Sequence, residues 1–78
     1  MTNHRRLTAG EVSAILTIHY GFRRELIHGS FGWYTKDDEM VQVSVPVNED
    51  QIIAHKELQA ILTQAGLDAA DFWSHVKG

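Results

Sequence analysis

Val41-Gln42-Val43-Ser44-Val45-Pro46-Val47 is the stretch whose reading decides the fold. Valine recurs at every second position, so one face of an extended chain is apolar and the other is not, the pattern of a half-buried strand. Pro46 has no N–H to give to a ladder, which puts this strand at a sheet edge or ends it there. Working back, Phe22-Arg23-Arg24-Glu25-Leu26-Ile27-His28 reads as a strand, Gly29-Ser30-Phe31-Gly32 as turn-rich, and Trp33-Tyr34-Thr35 as a run of β-formers. Lys36-Asp37-Asp38-Glu39 is a polar hairpin turn. Three sequential strands joined by short turns make an antiparallel meander.

Helices flank it. Thr8-Ala9-Gly10-Glu11 is a capping box, with Leu7 and Val12 where a hydrophobic staple would sit. Val12, Ile15, Leu16 and His19 then fall on one helical face, and Gly21 suits the left-handed residue past the helix end. The first helix is expected over about residues 9–20. After the loop Asn48-Glu49-Asp50, the residues Leu58, Ile61, Leu62 and Ala65 form a second stripe closed by Gly66. This helix starts near Asp50 or near His55. Asp68 then caps a short terminal helix, with Leu67 and Phe72 as its staple. The order α-β-β-β-α predicts an α+β domain: a three-stranded antiparallel sheet with two helices on one face. Residues 1–78 make one domain, with 1–7 expected to be flexible.

Composition limits function. The 78 residues are 44% hydrophobic and 22% charged, the values of an ordinary globular chain rather than a disordered one. With no cysteine, disulfides, zinc ribbons and thiol nucleophiles are excluded. No apolar run approaches a membrane span, the first residues do not read as a signal peptide, and the cytoplasm is the expected compartment. Residues 1–36 carry five basic against two acidic side chains, a net of +3, and residues 37–78 two against eight, a net of −6. A basic half suits a polyanion, although charges on a small domain commonly do no more than solvate it.

With its residues in this order, the chain resembles the HicA toxin family, small messenger-RNA-cleaving proteins with a double-stranded-RNA-binding-like fold. Gly21-Phe22, Gly29-Ser30, Val45-Pro46-Val47 and the run Leu58, Ile61, Leu62, Gln64, Ala65, Gly66, Leu67 carry the resemblance, which covers roughly residues 8–72. It implies that fold, contact with RNA, and a HicB-like antitoxin as partner. The departures bear on chemistry. Where the family keeps its catalytic histidine after Gly-Ser, this chain has Phe31 and Gly32; Asn48 stands where a second histidine is often found, and His55-Lys56 replaces Pro-Gly. Neither Phe31 nor Gly32 can move a proton, and cleavage by a 2′-hydroxyl needs a base and an acid in reach.

The residues left to carry function follow from this. His28 is either a surface histidine or a substitute base, histidine being the side chain suited to proton transfer near neutrality. Phe31 and Trp33 share a face if their strand is regular and could stack on unpaired bases, while Tyr34 faces the other way; at least one of these rings belongs to the core. Arg23 and Arg24 point to opposite faces. With Arg5 and Arg6 they offer a basic rim for phosphates, with Ser30 at the turn as a further RNA contact, against the commoner fate of surface ion pairs. Five scattered histidines give no metal-ligand spacing, and no cofactor motif is present. Three readings result: an RNA-binding module with weak or no ribonuclease activity, an active ribonuclease using His28, and a relic that binds a HicB-like antitoxin.

Overall fold

A computed structural model describes residues 5–36 and 41–76. Its elements run β1 (Leu7–Thr8), α1 (Ala9–Tyr20), β2 (Phe22–His28), β3 (Phe31–Lys36), β4 (Gln42–Pro46), β5 (Ile52–Ile53), α2 (His55–Ala65) and α3 (Ala69–Trp73). Strands β2, β3 and β4 form the expected antiparallel sheet in that order, with Pro46 in the edge strand β4. The polar turn after Lys36 lies outside the described residues.

The start of α1 shows why the chain turns where it does. The Thr8 hydroxyl accepts from Glu11 N–H at 3.2 Å, and the Glu11 carboxylate accepts from Thr8 N–H at 2.9 Å. Ala9 N–H and Gly10 N–H donate to the carbonyls of Gln51 and Glu49 at 2.8 and 3.0 Å. The four donors that a helix start would otherwise leave open are thus satisfied. Gly10 permits this approach, because a Cβ there would meet the Glu49 carbonyl at 3.2 Å. At the other end Gly21 takes φ +75°, the left-handed cap that its side-chain-free backbone allows.

Two sequence expectations are corrected here, and one left open is decided. Residues 1–7 do not end in a flexible stretch: Leu7 is buried, and it pairs with Ile53 in a second, two-stranded sheet formed by β1 and β5. Of the two possible starts for α2, His55 is the observed one. Ile53 is drawn into the core as a strand residue, and the Glu57 carboxylate accepts from Ala54 N–H at 3.3 Å. The turn after β2 is only two residues long. Gly29 absorbs the positive φ of +63°, so Phe31 and Gly32 pair with His28 and Ile27 inside the ladder.

One core joins the layers. α1 packs on β2 and β4, and α2 packs on β4. Val12, Leu16, Phe22, Val43, Val45 and Phe72 are fully buried among Tyr34, Leu58, Ile61 and Leu62. Tyr34 pairs with Val43, and paired residues share a face. The helix side of the sheet therefore carries Tyr34, Val43 and Val45, leaving Phe31 and Trp33 for the side the helices do not cover.

Candidate nucleic-acid interface

The open face is built by a bulge. In β2 the pairing steps from Arg24↔Tyr34 to Leu26↔Trp33, skipping Glu25. Two residues of β2 oppose one of β3, which reverses the alternation beyond that point. Leu26 and His28 are thereby placed on the same face as Trp33 and Phe31, while Ile27 goes to the other. His28 lies directly across from Phe31. Three planar side chains, His28, Phe31 and Trp33, stand together on one sheet surface beside Leu26. Phe31 and Leu26 are 43% and 54% exposed, Trp33 is half-buried, and His28 is exposed. Ile27, on the other side of the hairpin tip, is 52% exposed.

The remaining candidates separate. Arg23, also on the open face, donates to Glu25 at 2.7 Å. Arg24 lies on the helix side with its stem against Gly32, where a Cβ would meet Arg24 Cδ at 3.1 Å. The two arginines are thus on opposite faces. Ser30 is exposed in the turn, and its carbonyl accepts from Val47 N–H at 2.8 Å, which ties the end of β4 to the hairpin. Tyr34 is the ring that belongs to the core. Among the described residues, no carboxylate or second imidazole is bonded to His28, and no group of three or more His, Asp or Glu side chains is placed to hold a metal ion. No helix among the described residues is long and apolar enough to cross a membrane.

Sequence reasoning missed two features. One is the bulge, whose only trace is the charged run Arg23-Arg24-Glu25 interrupting the strand's alternation. The other is a cluster of His19, Tyr20, Asp71 and His75, where the end of α1 meets the turn after α3. These residues are 51 or more positions apart across that contact, so no local pattern announces it. Tyr20 donates its hydroxyl to Asp71. Burial, then the Asp71 hydrogen bond and the charges of Asp71 and Asp68, push its pKa up to about 12. A second surface feature is a groove of about 290 Å³ between α2 and α3, with His55, Lys56 and Gln59 beside Leu58, Leu62 and Trp73.

No family model, curated protein or solved structure matches this chain.

Proposed function

We propose that the protein is a HicA-like module that binds single-stranded RNA on the open sheet face without cleaving it. The observation that supports this reading is the ring surface His28–Phe31–Trp33 on a sheet whose other face is closed by helices. Every base has a π-face, so such a surface takes unpaired bases with little regard to sequence. Base-paired RNA keeps its bases stacked inside the helix and would offer these rings only its backbone edge. Arg23 stands on the same face for phosphate. Cleavage is set aside because the positions that follow Gly29-Ser30 hold a phenyl ring and a glycine. His28 opposite Phe31 has no bonded acid–base partner among the described residues.

A titration of labelled single-stranded and duplex RNA at low salt tests the reading. Tighter binding of the single strand is expected. Phe31→Ala and Trp33→Ala should each weaken it by about 1–3 kcal/mol, the usual contribution of one aromatic–base stack. Equal affinity for the duplex, or no effect of either substitution, overturns it. Growth arrest on induced expression that disappears with His28→Ala would instead establish the ribonuclease.

A second reading rests on a specific observation. Leu26 and Ile27 are both more than half exposed at the hairpin tip, on opposite faces. An apolar tip is the chemistry of a protein contact, such as a HicB-like antitoxin, more than of phosphate. Binding of that partner, lost with Leu26→Ser and Ile27→Ser while RNA is ignored, would select it.

A further inference from the structure

His55 and Lys56 open α2, on the helix side of the sheet, and the face proposed for RNA makes no use of them. Gln59 follows His55 by four residues and so shares its side of the helix. These three side chains rim the groove of about 290 Å³ between α2 and α3. Its floor is apolar. Leu58 and Leu62 come from α2, and Ala69 and Trp73 from α3. Each pair is four residues apart, so both helices turn a stripe toward the groove. Ligand sites commonly measure about 300–1,000 Å³, and a groove at the small end of that range suits one ring or one short chain.

The charge around it is one-sided. Between residues 41 and 76 the chain has a single basic side chain, Lys56, against the carboxylates of Glu49, Asp50, Glu57, Asp68 and Asp71. None of these carboxylates lines the groove. Those on or next to its two helices are turned to other partners. Glu57 accepts from Ala54 N–H at 3.3 Å, Asp68 from Asp71 N–H at 3.0 Å, and Asp71 from the Tyr20 hydroxyl. Lys56 has no ion-pair partner among the described residues. Ala54, the residue before α2, has no side-chain oxygen to accept from the first N–H groups of the helix, so the positive end of its dipole adds to Lys56.

We infer that this groove is a site for a small amphipathic carboxylate, a free molecule with one short hydrocarbon chain or ring and one anionic end. The hydrocarbon lies on Leu58, Leu62 and Trp73. The carboxylate meets Lys56 at the rim, where the Gln59 amide is a second donor. An inorganic anion would use Lys56 and leave the floor uncovered, whereas a neutral apolar molecule would cover the floor and leave Lys56 unused.

Octanoate is the probe, titrated into the full chain at pH 7 and followed by nuclear magnetic resonance, with octanol as its uncharged counterpart. The two tryptophans report separately. The Trp73 indole N–H signal should shift with octanoate, while that of Trp33, on the sheet face, should stay still. Lys56→Gln, a substitution at an exposed position, should weaken octanoate about two- to fivefold, the range of an exposed ion pair, and leave octanol unchanged. Ala69→Phe, which sets a ring in the groove from an exposed position, should abolish the response to both. No Trp73 shift by about 10 mM octanoate would overturn the site. So would equal octanoate affinity in the parent and Lys56→Gln, or a response that persists in Ala69→Phe. Movement of Trp33 in place of Trp73 would put the ligand on the sheet face and overturn it as well.

Discussion

Glu11 joins two bonds that pull its carboxyl in the same direction. The Arg5 guanidinium reaches it at 2.8 and 3.2 Å, and the Thr8 N–H at 2.9 Å. Together they hold its pKa down at about 2, with the arginine contributing most. A carboxyl lowered in the folded state stabilises the fold above its unfolded pKa, and that contribution is lost as pH falls through the folded value. Its loss is therefore expected between roughly pH 4.5 and pH 2. Arg5 and Glu11 are both about two-fifths exposed, so solvent limits the ion pair. The cap adds a contribution of its own. Thr8→Ala should cost about 1 kcal/mol in urea denaturation at pH 7. Glu11→Gln should flatten the acid limb of the stability curve, while leaving the limb above pH 5 parallel to that of the parent. An unchanged acid limb would show that Glu11 does not carry this pH dependence. Among site residues, the type was legible and the surroundings were not. Phe31, Trp33 and Tyr34 could be read as one core ring and two others, because strand alternation is local. That His28 shares the face of Phe31 and Trp33 could not be read, because it depends on where β2 slips against β3.

At the level of elements, that slip is a single residue. The bulge at Glu25 is what lets Leu26 oppose Trp33 and His28 oppose Phe31. Deleting Glu25 would let Arg24 and Leu26 follow one another opposite Tyr34 and Trp33. The ladder would become regular while both outer pairs kept their partners. The expected outcome is a folded chain that retains the amide–amide contact between paired strands at Leu26–Trp33 and His28–Phe31 in nuclear Overhauser spectra. Only the strand's extra twist and the Arg23–Glu25 bond would be lost. Replacement of those contacts by Ile27–Trp33 would mean that the register is set by the turn and not by the bulge. The same scale explains what was readable. α1, β4 and the caps at Gly21, Gly66 and Asp68 carry short-range signals, and they form where those signals lie. β1 and β5 are two residues each and pair across 44 or more positions. Leu7 and Ile53 have no periodicity to show until the loop at 49–51 has docked on the start of α1.

Across the whole molecule, the charge sets the character of any RNA complex. The chain carries −3 at pH 7, and its positive excess is confined to the first half. Among the described residues, only Arg23 is at hand for phosphate on the proposed face, and it is shared with Glu25; Arg24 lies across the sheet. Attraction of a polyanion to the surface as a whole is therefore weak, and ring stacking must supply most of the affinity. Counterion release makes this measurable, since the logarithm of the binding constant falls with the logarithm of salt concentration by about 0.7 per phosphate for single strands. With Arg23 engaged, the slope should lie near −0.7, and it should not pass about −1.4 even if Arg24 reaches the strand as well. Arg23→Ala should make it shallower by about 0.7, whereas Phe31→Ala should lower the affinity at every salt concentration with the slope unchanged. The two substitutions thus act on separate terms, one electrostatic and one not. A slope steeper than about −3 would require more cations than this face holds. It would move the RNA to another surface, such as the groove beside Lys56, where the one positive side chain of residues 41–76 stands.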